Sequence, residues 1–259
     1  MKKMTYAAMG ALLLGAASCN QASAAKGDDA AAVVFEARPD LAEGVGSLPR
    51  LVGEGGAVAA INADLDRRDA AAGVTGCEDG GGGFERGVTQ PMTGPGFISF
   101  WISEGRFCEG TAHPSFDQSA ITYDLATGQA VDWVAAAPGL ELTRGDTIGQ
   151  PVGYVSGVSS TVLSGWYSAE ALASTDQEHA EQCADRWTPE ALEGVGFRIW
   201  LDAQNGGLSI NPQFAHVSQG CADTATLNAE EMRRFGVSPT IIDAVATAHA
   251  AGSWAPKDD

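Results

Sequence analysis

The chain has 259 residues, 44% of them hydrophobic, which is enough for one large core or two modest ones and gives no compositional sign of disorder. Its formal net charge is −18, with a pI of about 4.4. So acidic a surface repels phosphates and anionic headgroups, which argues against nucleic acid and peripheral membrane binding; it suits a basic partner, or solubility alone.

Residues 1–24 read as a targeting segment, with Lys2 and Lys3 before an apolar run, Ala7 to Ala17, too short to span a bilayer. Two cleavage sites compete. Ala22-Ser23-Ala24 fits the small-x-small rule, whereas Ala16-Ala17-Ser18-Cys19 resembles a bacterial lipobox, with Ala16 where Leu is commoner. Cysteine counting supports the second. Cys77, Cys108, Cys183 and Cys221 form an even set, and Cys19 is left over for lipidation. The expectation is a lipoprotein-type signal peptide over 1–18 and a flexible tether, rich in Ala, Ser, Asp and Gly, over 19–34. Asn20 after the cysteine resembles an outer-membrane sorting choice, so the protein is expected in the periplasm or at the outer membrane, touching membrane only through its lipid anchor.

A short strand is expected at Val33 to Phe35. Ala57 to Ala70 follows helical spacing, with Val58, Ile61 and Leu65 on one face and Asp64, Arg67 and Arg68 on the other; Asn62 reads as a hydrogen-bonding edge residue. Gly80 to Gly83 is a loop by composition. No lysine and no following helix turn it into a phosphate cradle.

Phe97 to Ile102 reads as a β-rich run. Ile121, Tyr123 and Leu125 alternate with Thr122 and Asp124, the period of a half-buried strand, and Thr127-Gly128 supplies a turn before Ala130 to Trp133. Between the two runs His113 precedes a proline, which holds it out of helical conformation on a stiff loop. Trp133 to Gly139 begins a less regular stretch, and Tyr154 to Tyr167 reads as loop or short strand. A helix is expected from Ser168 to about Ala184, with Leu172, Ala180 and Cys183 as its apolar positions.

Thr188-Pro189-Glu190 caps a short helix closed by Gly194. Phe197, Ile199 and Leu201 alternate with Arg198 and Trp200 in a strand, and Asn205-Gly206-Gly207 turns it into Leu208 to Ile210. Asn228 caps a helix with Glu231 three residues on and a Leu227/Met232 staple. Gly236 ends it. Ser238-Pro239 starts the last helix, with Ile241, Ile242, Val245 and Ala248 inward and His249 at its end, up to Gly252. The fold expected is α+β: antiparallel β-sheet with helices packed on one face, over residues 35–259, in two disulfide-stapled lobes, 35–140 and 141–259.

The segment Gly110-Thr111-Ala112-His113-Pro114, leading into a strand that ends Asp124-Leu125-Ala126-Thr127-Gly128, resembles the domain found C-terminal in RsiV-type anti-sigma factors and beside the catalytic domain of PdaC-type peptidoglycan deacetylases. The loop differs by an inserted Thr. Leu48-Pro49-Arg50-Leu51-Val52-Gly53 with Ile61-Asn62 is similar to the companion N-terminal domain, and Gly207 to Ile210 through Gly220 resembles the closing strand pair. The resemblance implies an envelope binding domain. Unlike the anti-sigma factors, this sequence has no later segment of transmembrane length, and it lacks the deacetylase catalytic domain.

Four cysteines allow three pairings; Cys77 with Cys108 and Cys183 with Cys221 are expected, each within one predicted substructure. No Cys-x-x-Cys or His-Glu-x-x-His spacing specifies a metal, and no Gly-x-Ser-x-Gly elbow supplies a nucleophile. His113 and His216, with Asp117 or Asp223, form the one conceivable mixed metal site; the plainer reading gives His113 a hydrogen bond in its loop and His216 a place at a sheet edge. Tyr123, Trp101, Trp133 and Trp200 belong to a core or a sugar-stacking surface.

The leading expectation is a non-catalytic domain with no cofactor. It would bind peptidoglycan or a basic cell-wall hydrolase such as lysozyme through the Arg106 to Asp117 loop, with Arg106, Glu109, His113, Asp117 and Tyr123 as candidate contacts. The competing expectations are a metal-assisted hydrolase using His113 and His216, and a structural envelope module.

Overall fold

The computed structural model describes residues 33–72, 77, 81–111, 113–145, 157–174 and 177–255. The expected signal segment, Cys19, most of the expected tether, Gly80, Tyr154 and the last four residues lie outside them.

The first half builds a meander under one helix. Strands β1 (Val34–Glu36) and β2 (Arg50–Val52) pair as an antiparallel ribbon, and helix α1 (Gly56–Ala71) follows. Strands β3 (Gly82–Thr93), β4 (Phe97–Cys108), β5 (Ser115–Asp124) and β6 (Gln129–Ala130) then form an antiparallel sheet in chain order. Ile61 and Leu65 of α1 bury against Leu48, Leu51, Ile98, Phe100, Ile102, Ile121 and Tyr123. Asn62 ties the helix to β2, accepting from Leu51 N at 2.9 Å and donating to Leu51 O at 3.0 Å.

Two corrections to the helical faces follow from buried charge. Asp69, a residue the apolar pattern leaves unassigned, points inward, where Arg86 Nη1 and Arg50 Nη2 donate to it at 2.8 Å each and Leu48 N at 3.2 Å. All three charged side chains are nearly enclosed, which is tolerable because one carboxylate answers two guanidiniums. Arg86 Nε lies 3.2 Å from Glu104 Oε1 but is not aligned to donate to it. Arg68, expected on the solvent face, instead donates to Asp64 at 2.9 Å and to the Tyr123 hydroxyl at 3.1 Å.

The second half has its own core. Helix α2 (Trp133–Ala136), capped by Asp132, leads to β7 (Thr143–Arg144), β8 (Val158–Ser159), helices α3 (Thr161–Ser174) and α4 (Gln177–Cys183), then β9 (Phe197–Asp202), β10 (Gly207–Pro212), β11 (Ala225–Leu227), α5 (Ala229–Arg234) and α6 (Pro239–Ala251). The sheet order is β11-β10-β9-β8-β7. The helix expected from Ser168 begins at Thr161, where the Ser160 hydroxyl accepts from Leu163 N. Its buried stripe is Leu163, Trp166, Tyr167 and Ala171, whereas Leu172 is exposed. The capped segment at Thr188 is a set of turns and not a helix, although Thr188 Oγ1 accepts from Ala191 N and Gly194 takes a left-handed φ. Asn228 and Glu231 complete the expected capping box, and all four inward residues of α6 are buried. Both expected disulfides are present, Cys77–Cys108 and Cys183–Cys221.

The two sheets meet face to face. Trp101 packs on Trp200 at 4.6 Å, Thr122 Oγ1 accepts from Leu201 N at 3.2 Å while bonding Ser99 Oγ at 2.8 Å, and Ala203 N donates to Pro91 O at 2.9 Å. Each sheet therefore carries helices on its outer face and its partner sheet on the inner one. This changes the reading of β5: residues 120 to 123 are buried on both faces, not alternately, because the second sheet roofs Ala120 and Thr122. The described residues form one compact unit, and among them no helix is long and apolar enough to cross a membrane.

Candidate functional site

Pairing of β4 with β5 runs out to Arg106 opposite Ser115. The long loop expected between Arg106 and Asp117 is thus a short turn at the end of a hairpin, with Arg106, Phe107 and Asp117 on the strands. The turn is closed by Thr111, whose N and Oγ1 donate to Cys108 O at 3.2 and 2.8 Å.

Strand alternation places Phe107 and Phe116 on the face that, nearer the hairpin's base, looks at the second sheet. That sheet does not reach the tip. Phe107 is 43% and Phe116 47% exposed, edge to face at 6.0 Å. The 3₁₀ turn His216–Cys221 reaches over from the second half and lays His216 parallel to Phe116 at 6.2 Å, with His113 6.2 Å from His216. Val217, next in sequence to His216, is 87% exposed. Phe107 and Phe116 are thus two of the seven exposed large hydrophobic residues described, and they touch each other.

Each half of the patch ends at a disulfide. Phe107 immediately precedes Cys108, bonded to Cys77, and the turn bearing His216 ends at Cys221, bonded to Cys183. The first bridge needs Gly82 opposite Cys108: a Cβ there would lie 2.0 Å from Phe107 O and 2.5 Å from Cys77 Sγ, and its φ is +138°.

Among the other candidate contacts, Arg106 and Glu109 are exposed at the tip, and Arg106 lies 5.9 Å from the Phe84 ring. Asp117 is exposed, with Arg198 Nη2 3.7 Å away. Tyr123 is set apart from them all. It is buried, its hydroxyl donates to Asp64, and burial first, then Asp64, push its phenol well above the ordinary tyrosine range. Trp133 and Trp200 are buried core residues, and Trp101 is partly covered by Trp200.

The two histidines considered for a metal do come together, but their proposed carboxylates do not join them. Asp223 lies 3.2 Å from His179 Nε2, a pairing that sequence spacing does not reveal because 44 positions separate the two. Among the described residues no group of three or more His, Cys, Asp or Glu side chains is gathered where an ion could be held. His249 shares a 2.7 Å hydrogen bond with the Ala203 carbonyl and stacks on Trp254.

No family model and no curated protein matches the sequence. The solved structures that resemble it include one from Pseudomonas aeruginosa and one from Bacteroides fragilis. Both are DUF3298 family proteins. The first is 14% identical with a TM-score of 0.39, covering 62% of this chain and 64% of that one, so this chain spans somewhat under two thirds of its length. The second is also 14% identical at a TM-score of 0.39, covering 73% of this chain and 69% of that one. The likeness to both is loose.

Proposed function

We propose that the protein is a non-catalytic, exported envelope domain, tethered through Cys19, that binds the glycan of peptidoglycan with the aromatic tip of the β4–β5 hairpin. The observation that carries this reading is the exposed patch of Phe107, Phe116, His113 and His216, pinned at both ends by disulfides. Aromatic faces match the apolar faces of sugar rings, while imidazole edges and the nearby Arg106 and Glu109 can serve hydroxyl and amide groups. Cross-linking both ends lowers the ordering cost of binding. Co-sedimentation with purified peptidoglycan tests it. The Phe107→Ala/Phe116→Ala double variant should be retained about 10-fold less well, a loss of about 1.4 kcal/mol; equal retention of variant and wild type removes the reading.

A second reading rests on the net charge of −18, which favours a basic cell-wall hydrolase such as lysozyme as the partner. Calorimetric titration of lysozyme at low and at about 0.5 M salt separates the two, because steering between opposite charges is screened at the higher salt. Binding that is absent, or indifferent to salt, excludes the hydrolase.

A further inference from the structure

Beside the aromatic pair, the inner face of the first sheet is laid out in cross-strand rows. Glu85 of β3, Gly105 of β4 and Phe116 of β5 stand in one row, with Gly87 one row nearer the base and Gly83, opposite Phe107, one row nearer the tip. Gly105 shows how close its neighbours come. A Cβ there would lie 2.8 Å from Glu85 Oε1 and 3.2 Å from Phe116 Cε1, so carboxylate and ring edge share the space above one glycine.

The turn from the second half roofs this face on one side only. Over β5, Gln219 Nε2 donates to Gln118 Oε1 at 2.8 Å and His216 stacks on Phe116. Over β3, Gly83, Glu85 and Gly87 are exposed. Nothing lies within 4 Å of a Cβ at Gly83, and its φ is outside the left-handed region, so neither packing nor backbone conformation requires glycine there. A glycine in such a place leaves room for a ligand to come close to the backbone.

The charge on this face is one-sided as well. Glu85 has no hydrogen-bond or ion-pair partner among the described residues. Nor has the Glu109 carboxylate, which lies over Gly81, where a Cβ would be 2.5 Å from its Oε2. The neighbouring cations do not answer them. Arg106 belongs to the opposite face, where it lies over Phe84, and Arg198 is engaged by the Gln118 carbonyl, Asn211 Oδ1 and Pro212 O, with Asp117 nearby. Two unanswered carboxylates beside two phenyl rings repel acidic ligand groups and attract a cation. An ammonium group suits both features, since it is drawn to the face of a phenyl ring and donates charge-assisted hydrogen bonds to a carboxylate.

We infer that Glu85 is a specificity-determining residue of the hairpin-tip surface: it makes the site prefer glycan that carries free primary amines, with the ammonium against Phe116 and bonded to the Glu85 carboxylate. This rests on the glycan-binding reading above and adds to it a charge requirement.

Calorimetric titration of the full chain at constant pH and ionic strength tests it, with three probes: the tetrasaccharide of glucosamine, that of N-acetylglucosamine, and Nα-acetyl-lysinamide, which has an amine but no sugar. The glucosamine tetramer should bind about 10-fold more tightly than its acetylated counterpart. Glu85→Gln, at an exposed position, should bring the two within about 2-fold by removing the charge-assisted bond. Glu54→Gln should leave the preference intact, because Glu54 is an exposed acid just before α1, whose first turn lies against Gly128 at the other end of the hairpin. Tetramers that bind alike, a preference that survives Glu85→Gln, or one that Glu54→Gln also removes would overturn the inference. So would lysinamide binding as tightly as the glucosamine tetramer, since the sugar would then play no part. Binding of the acetylated tetramer alone sinks the inference and leaves the glycan reading standing, whereas binding of neither tetramer sinks both.

Discussion

The base and the tip of the β4–β5 hairpin are built alike and end up in opposite surroundings. At the base, the inner face presents Ser99, Trp101 and Thr122 to β9 and the outer face presents Phe100, Ile121 and Tyr123 to α1, so the strands are covered on both sides. Toward the tip the same inner face presents Phe107 and Phe116, but the second sheet has ended and a single turn, His216–Cys221, leans across. Side-chain type does not mark the change, because aromatic residues occur in both places. Coverage does. An aromatic ring contributes to stability where it is enclosed and is left half in solvent where its roof stops short.

Mutations at the two ends sharpen that contrast. Phe100→Ala, in the enclosed base, should cost about 3–5 kcal/mol in denaturant unfolding, since it leaves a cavity between α1 and the sheet. Replacing Cys183 and Cys221 together with Ala should cost about 4 kcal/mol by loop entropy over a separation of 38 residues, and should also free the turn that carries His216. A smaller loss, on the order of 1–2 kcal/mol at neutral pH, is expected of Asp64→Asn. Burial acts to raise the Asp64 pKa, but the Tyr123 hydroxyl and Arg68 outweigh it and hold the carboxyl below its ordinary value. A group depressed in this way stabilises the fold above its unfolded pKa, near 4, and loses that contribution as pH falls through the folded value. The variant should therefore show a shallower stability loss below about pH 4 than wild type in acid titration. Phe116→Ala should change stability by no more than about 0.5 kcal/mol, because its ring is half in solvent, while weakening peptidoglycan retention. A large stability loss there would break the comparison.

What could be read from the sequence follows from how local each determinant is. The Asn228 capping box, the Ser238-Pro239 start, the Asn205-Gly206-Gly207 turn and the apolar stripe of α6 all act over a few residues, and each stands as expected. Gly128 belongs with them, and it also lets the turn approach α1, where a Cβ would lie 2.6 Å from Ala57 O. Helix α3 was obscured by Val162, Gly165 and a serine-rich start, although Leu163, Trp166, Tyr167 and Ala171 keep helical spacing. Burial of Thr122 on its second face could not be read, because it depends on a sheet formed about 80 residues later. For the same reason the hairpin residues of the site were visible as a segment, while the stacking of His216 on Phe116, across 100 positions, was not.

The two cystines flanking the aromatic patch have a consequence for when the surface comes into being. A newly made chain in a thiol-reducing cytosol would lack both bridges, leaving Phe107 held only by the strand ladder and His216 on a turn no longer tied to α4. Under the proposed function, forming the two bridges in an oxidising compartment would do more than harden the fold: it would complete the covalent frame of the surface that docks.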